Sequence, residues 1–353
     1  MPKRKQQTAE EKQDQKRIKV ETDEAIKRAV AGITVAQNHR FEGQDEGAWR
    51  SFLEDNGYVV IKSLATLERV DELVDYFYTD LASLGTGITR DDAGTFVNAN
   101  FVGIFSVGIF KDPSSGIGCS RFMFECRRTA KELFQRLHRD QDVSSSFDGA
   151  GVFRNWRLDL KYKTTSLWPH VDQGRTKGFD FQCYQGILNL LPADRSTGGL
   201  VVAPGSHKNL EAVLDTNLPK KCNQNYNPLN MTHPYIAGLC SNMRLVVAGP
   251  GDLILWDSRT IHSNTHAMTR PTSTAPLIRI APYVCFLPRN SNCSGTVKIR
   301  AHIVESGGLS NHWPNYPDIK AVHMAYPRSK GFKTLTSIAM SPEEIERDFP
   351  DLL

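Results

Sequence analysis

The chain has 353 residues, 23% charged side chains and a mean hydropathy of −0.39. That composition belongs to an ordinary soluble globule, and no apolar run is long enough to span a bilayer. The net charge of +4 sits entirely in residues 1–20, which hold seven Lys/Arg and three acids; residues 21–353 therefore balance and offer no general positive field for nucleic acid.

The tail carries Lys3-Arg-Lys5, ten intervening residues, then Lys16-Arg-Ile-Lys19. This pattern is similar to a bipartite nuclear localisation signal that would engage a nuclear import receptor; the alternative is a solubilising arm. No secretory signal is evident, and seven scattered Cys fit reduced thiols inside the cell, in nucleus or cytoplasm. The end Asp351-Leu-Leu353 is not a peroxisomal address. The length suits one large domain: a basic, disordered tail at 1–40, a body at 41–330 and an extension at 331–353.

Residues 22–38 can form a helix, and Trp49, Phe52 and Leu53 predict a short one stopped near Gly57. A strand follows at Asn56-Gly-Tyr-Val-Val-Ile-Lys62. Leu67, Val70, Leu73, Val74, Phe77, Leu81 and Leu84 recur at helical spacing, with Gly85 as the stop. Residues 86–118 are rich in Gly and Phe (Phe96, Phe101, Phe105, Phe110) and either wall a pocket or simply pack. The helix ending at His138 puts Phe124, Leu133, Phe134 and Leu137 on one stripe. Arg157–Lys163, with Lys161 and Tyr162, reads as a strand. Further strands are expected at 179–191, 198–203, 243–248, 252–256 and 277–287, separated by Gly/Pro turns, which suggests a sandwich or barrel. Two irregular stretches, 208–242 with Lys220-Lys221 and 306–330 with Trp313 and Tyr316, are candidate lids or surface insertions.

The chemistry-bearing residues lie among these strands. Trp168-Pro-His-Val-Asp-Gln-Gly174 contains a His-x-Asp pair, His170 and Asp172. About one such pair is expected by chance in this composition, and His138/Asp140 is another. On a helix, side chains two apart face different ways, so His138/Asp140 reads as a solvated helix end; near a strand, His170 and Asp172 face one side. His262 closes Gly251-Asp-Leu-Ile-Leu-Trp-Asp-Ser-Arg-Thr-Ile-His262. Two imidazoles and a carboxylate are the ligand set of a non-haem Fe(II) site with open positions.

The ordered set resembles the phytanoyl-CoA dioxygenase-like family of Fe(II)/2-oxoglutarate-dependent oxygenases. It comprises Trp-Pro-His170-Val-Asp172-Gln-Gly, Gly198-Gly-Leu-Val-Val-Ala-Pro-Gly-Ser-His207, the run ending at His262, Arg279 on the last strand and the entry strand 56–62. Together these pieces span about residues 45–290. The resemblance implies a mainly β fold with flanking helices, a double-stranded β-helix or cupin-like jelly roll. It implies His170, Asp172 and His262 as metal ligands, with 2-oxoglutarate and O₂ taking the open positions, and ascorbate as a possible support. Related halogenases lack the carboxylate, so Asp172 favours hydroxylation. Arg279 is the candidate for the distal carboxylate of 2-oxoglutarate; Arg270, in a loop before Pro271, is the weaker one. Asn264, Gln185, Lys161 and Tyr162 are further candidates for binding the cosubstrate, each also readable as ordinary strand surface. His207 belongs to a structural turn in the family, and His266 competes with His262 without closing the family-like strand.

The expected function is hydroxylation of a small or medium organic substrate, without a membrane partner. The alternatives are a nuclear oxygenase acting on nucleic acid or protein, which the tail motivates and the neutral body weakens, and a non-catalytic jelly-roll binding module.

Overall fold

The structure, a computed structural model, describes residues 9–103, 106–217, 226–291, 294–317 and 335–353. Its helices are α1 (Ala9–Gly32), α2 (Glu46–Asn56), α3 (Leu67–Ser83), α4 (Arg121–His138), α5 (Leu210–Asn217), α6 (Pro234–Cys240), α7 (Ser294–Ser306) and α8 (Pro342–Asp348). The first strands are β1 (Thr34–Val35), β2 (Arg40–Phe41), β3 (Tyr58–Ile61), β4 (Ile109–Phe110), β5 (Val143–Ser145), β6 (Ala150–Arg154) and β7 (His170–Val171). Then come β8 (Tyr184–Leu188), β9 (Gly199–Val202), β10 (Asn227–Pro228), β11 (Arg244–Leu245), β12 (Leu253–Asp257), β13 (His262–Thr265), β14 (Leu277–Val284) and β15 (Phe286–Pro288).

Two sheets face each other. One runs β2-β3-β12-β8-β14-β6-β4, the other β1-β11-β9-β13-β7-β10. Strands β6, β8, β12 and β14 thus share one sheet, while β7, β9, β11 and β13 share the other, and the chain crosses repeatedly between them. This is the double-stranded β-helix expected from the sequence.

Alternation along the strands builds two cores at once. Tyr58, Val60, Ile187, Leu200, Val202, Ile254, Trp256 and Ala281 pack together between the sheets. The intervening Val59, Ile61, Leu188, Leu253 and Leu255 point outward into a larger core shared with α3 and α4. Both faces of the large sheet are therefore buried, which is why its strands read as nearly continuous apolar runs.

The helices cover that outer face. In α3, Val70, Leu73, Phe77 and Leu81 are buried as the stripe predicts, but Leu67 in the first turn is exposed. Phe77 meets Phe122 of α4 edge-on at 5.2 Å between ring centroids. Helix α2 ends at Gly57 in the left-handed region (φ 78°). A Cβ there would lie 2.5 Å from both His207 Nδ1 and Thr260 Oγ1, so only glycine fits.

Several expectations change. The disordered tail expected at 1–40 is helical from Ala9, and Thr34–Val35 and Arg40–Phe41 join the sheets. Ala25, Ile26, Ala29 and Val30 pack on the core beneath α5 and α6, so the amphipathic end of α1 belongs to the body. The first basic cluster, Lys3–Lys5, lies outside the described residues. The extension at 331–353 is, from residue 335, part of the main core: Ile338, Met340, Ile345, Phe349 and Leu352 are buried. Residues 208–242 contain α5 and α6 rather than irregular chain, with Lys220-Lys221 outside the described residues. Phe96, Phe101 and Phe110 are buried in the main core, and Phe105 lies outside the described residues. Of 306–330, residues 318–330 also lie outside them. His138 ends α4 as expected and is half-buried rather than fully solvated: its Nε2 bonds Phe286 O at 2.9 Å and ties the helix to β15. No described helix is long and apolar enough to cross a membrane.

Candidate active site

His170 starts β7, His262 starts β13, and the two are direct register partners across the sheet. Asp172 follows β7, held by its own N–H donating to Ser258 O at 2.9 Å. The three side chains are buried, and one ligand atom from each lies within 4.8 Å of the others. Among the described residues this is the one such group of His, Cys, Asp or Glu.

Backbone carbonyls set the imidazole orientations. His170 Nδ1 lies 3.1 Å from Trp168 O, and His262 Nδ1 lies 2.9 Å from Thr260 O. A carbonyl only accepts, so each Nδ1 carries the proton and each Nε2 presents a lone pair. Those Nε2 atoms converge on Asp172, at 3.7 Å from Oδ1 for His170 and 3.2 Å from Oδ2 for His262. Gln185 Nε2 donates to Asp172 Oδ2 at 2.9 Å.

The protonation states suit a cation. Burial, and then the neighbouring His262, drives His170 down to about 3, so it is neutral at physiological pH. Burial alone would raise the Asp172 carboxyl, but the imidazoles of His312, His170 and His262 outweigh it and keep it below the ordinary carboxylate range. Neutral imidazoles and an ionised carboxylate are the forms that bind metal. Three such donors with the rest of the coordination sphere open match the facial triad of non-haem Fe(II).

Aromatic rings enclose the triad. The Trp168 indole stacks on His170 at 4.8 Å and 7°, Tyr226 covers the same ring at 4.7 Å, and Trp256 packs 5.4 Å from His262. Ser263 Oγ accepts Trp168 N at 2.8 Å and ties the indole's backbone to β13.

Arg279 reaches the interior from β14. It is 2% exposed, and its Nη1 has no hydrogen-bond partner among the described residues. Burial pushes it down only to about 10, so it stays charged at neutral pH. Gly199, on the opposite sheet at φ 148°, makes room for it: a Cβ there would stand 3.2 Å from Nη1. A buried cation with a free donor edge is costly unless an anion meets it. Arg270 is exposed.

The other candidates are placed differently. Gln185 is buried beside the triad, but its amide N–H is engaged by Asp172. Asn264 lies on β13, half-buried, and its carbonyl accepts Leu167 N at 3.0 Å. Lys161 and Tyr162 sit in a 3₁₀ turn, Leu160–Tyr162, not in a strand; the Asp159 side chain caps that turn and breaks the extended chain. Lys161 is exposed, and Arg154 stacks over the Tyr162 ring at 4.1 Å. His207 Nε2 bonds Glu54 O at 3.0 Å and is structural. His266 pairs with Ser166 Oγ.

One residue the sequence did not reveal is His312. Its Nε2 is buried without a hydrogen-bond partner among the described residues, and its electrostatic neighbours include Asp172 and His262. It lies 50 residues after His262, and no spacing rule connects them.

A family model for phytanoyl-CoA dioxygenase (PhyH) matches residues 53–269. The match takes in all three triad residues and Gly199 and stops short of Arg279. "Ava biosynthesis cluster protein O" of Aspergillus versicolor is 24% identical over 288 residues, covering 78% of this chain and 89% of that protein. Among solved structures, the epimerase SnoN in complex with Fe3+, alpha-ketoglutarate and nogalamycin RO is 15% identical over 69% of this chain and 84% of its own, with a TM-score of 0.44. EctD from S. alaskensis, with 2-oxoglutarate and 5-hydroxyectoine, is 14% identical over 72% and 78%, also with a TM-score of 0.44. The family match, spanning most of the jelly roll and its buried triad, shows that the chain belongs to the phytanoyl-CoA dioxygenase family.

Proposed function

We propose that the chain is an Fe(II)- and 2-oxoglutarate-dependent oxygenase that hydroxylates a small or medium organic substrate. The observation that carries this reading is the pairing of a buried His170–Asp172–His262 triad with the buried Arg279, whose Nη1 meets no hydrogen-bond partner among the described residues, inside the same jelly roll. The triad would hold iron, and Arg279 would bind the distal carboxylate of 2-oxoglutarate through its free edge. Iron with the 2-oxo acid and O₂ supplies the oxidising power for cleaving an unactivated C–H bond. The protein's own residues orient and shield: Trp168, Trp256 and Tyr226 enclose the His ligands, and the backbone carbonyls of Trp168 and Thr260 fix their rings.

The presence of Asp172 favours hydroxylation, since the carboxylate occupies a position that a halide would otherwise take. A small-molecule substrate is supported by the name of the Aspergillus relative, which puts that protein in a biosynthesis cluster. The test is succinate release from 2-oxoglutarate by purified protein with Fe(II) and O₂, stimulated by fractions of a metabolite extract. Protein that takes up neither Fe(II) nor 2-oxoglutarate under anaerobic conditions would refute the assignment.

A further inference from the structure

The segment Leu309–Pro317 follows α7 and lies beyond the matched family region, yet it is tied to the body at several points. On one side, Ser310 N donates to Phe147 O at 2.8 Å and Ser310 Oγ accepts Phe147 N at 3.2 Å, next to Asp148. On the other, Trp313 is fully buried against Cys183, Cys285 and Leu287. Cys183 O accepts Ser258 N at 3.0 Å, and Ser258 O accepts Asp172 N at 2.9 Å, so Trp313 is two backbone bonds from the carboxylate ligand. Thr296 Oγ1 donates to Asn315 O at 2.7 Å and fixes the loop beyond it.

His312 stands between these anchors, its ring 5.3 Å from that of Trp313. Asp172, Asp148, Lys111 and His262 all act on it electrostatically, and it acts in turn on His170. Lys111 and Asp148 neutralise each other at 2.5 Å. The imidazole therefore lies within electrostatic range of the triad without belonging to its ligand group, and its buried Nε2 meets no hydrogen-bond partner among the described residues. Leaving such an atom unbonded costs enough that a ligand able to satisfy it gains by doing so.

We propose that His312 is a positioning residue whose Nε2–H donates a hydrogen bond to an oxygen atom of a ligand held on the open face of the triad. The inference rests on the iron reading given under Proposed function. Two sources share this chemistry: the end of 2-oxoglutarate that meets the metal, and a diatomic at the remaining position.

The experiment uses the full Fe(II)-loaded chain under anaerobic conditions, titrated separately with 2-oxoglutarate and with nitric oxide. His312→Phe keeps a ring against Trp313 and removes the donor; His312→Gln restores an N–H. One lost hydrogen bond predicts about a fivefold weaker affinity in His312→Phe, largely recovered in His312→Gln. A change in 2-oxoglutarate affinity assigns the oxygen to the cosubstrate; a change in nitric oxide affinity and in the electron paramagnetic resonance of that complex assigns it to the remaining position. Wild-type and variant proteins that load Fe(II) and share both affinities overturn the role of His312 alone. A wild-type chain that loads no Fe(II) overturns this role and the oxygenase reading together.

Discussion

Gln185 on β8 and Asp172 just after β7 come from opposite sides of the jelly roll, and the 2.9 Å bond from Gln185 Nε2 to Asp172 Oδ2 joins them within the triad. Gln185 is also the register partner of Trp256, so one strand pair supplies both the carboxylate's support and the ring beside His262. Removing that support should free the carboxylate to rotate. Gln185→Leu is expected to weaken Fe(II) or Co(II) binding by about 10–100-fold, the usual cost of losing a group that orients a metal ligand. Metal titration of the purified variant measures this; an unchanged affinity would show that the sheet alone orients Asp172.

Asp172→Ala should go further. It removes the one carboxylate and leaves two imidazoles, so stoichiometric Fe(II) uptake is expected to disappear along with substrate hydroxylation. Equilibrium dialysis with iron quantification checks the first, and succinate yield the second.

Arg279→Met keeps most of the side chain's bulk and deletes its charge. No acceptor among the described residues depends on Nη1, so the fold should tolerate the change while the cosubstrate loses a paired, charge-assisted contact. We expect the KM for 2-oxoglutarate to rise about 10–100-fold, corresponding to the ~1.5–3 kcal/mol of hydrogen bonds to a charged group. Gly199→Ala should act in the same direction but more weakly, because its Cβ would stand 3.2 Å from the guanidinium. A normal KM in Arg279→Met combined with a raised one in Arg270→Met would transfer the role to the loop arginine.

The positions of these residues differ in how far the sequence discloses them. The strands and the α3 stripe follow periods of 2 and 3.6, so residues such as Val60, Ile254 and Phe77 announce their burial locally. His170, Asp172 and His262 could be grouped because a strand pattern precedes or follows each. Lys161 and Tyr162 misled because Asp159 caps a short turn in a stretch with strand-like alternation. His312 carries no local signal at all: only the folding back of the segment after α7 brings it to the triad, and that contact depends on Trp313 finding the Cys183–Cys285 niche. The second half of α1 falls within the helix expected over 22–38, whereas its polar first half was hidden because its charge composition is also that of a disordered arm.

Acid should destabilise the metal-free protein. His170, lowered to about 3, and His266, lowered to about 4, both chiefly by burial, stay neutral in the folded state at pH values where the unfolded chain is protonated. Below about pH 6.5 the unfolded state therefore binds more protons, and stability falls as pH falls towards the folded values. For fully buried His170 the slope approaches about 1.4 kcal/mol per pH unit at most; half-buried His266 contributes less because solvent screens it. Asp172, also depressed, adds a loss of the same sign below the ordinary carboxylate range. Urea denaturation midpoints of the apoprotein should be level between pH 7 and 8 and drop between pH 6 and 4. A midpoint that stays constant to pH 4 would mean these imidazoles are protonated in the folded state.

The C-terminal segment should prove essential for folding. Phe349 is fully buried, lies 5.0 Å from the Phe124 ring, and is covered by the guanidinium of Arg128 at 4.1 Å. Lys131 Nζ bonds Asp351 Oδ2 at 2.7 Å, and Ser341 and Glu344 form a reciprocal cap on α8. The surface ion pair contributes little, and the buried ring contributes most. Phe349→Ala is expected to lower stability by about 3–5 kcal/mol through a cavity beside α4, whereas Lys131→Ala should stay within about 1 kcal/mol of wild type. Because α4 and α3 cover the outer face of the sheet that carries Gln185 and Arg279, the cavity should loosen the fold before it touches the chemistry: thermal unfolding of Phe349→Ala shifts down while Fe(II) affinity at 10 °C stays near wild type. Equal losses in both measurements would show instead that this helical layer sets the geometry of the metal site.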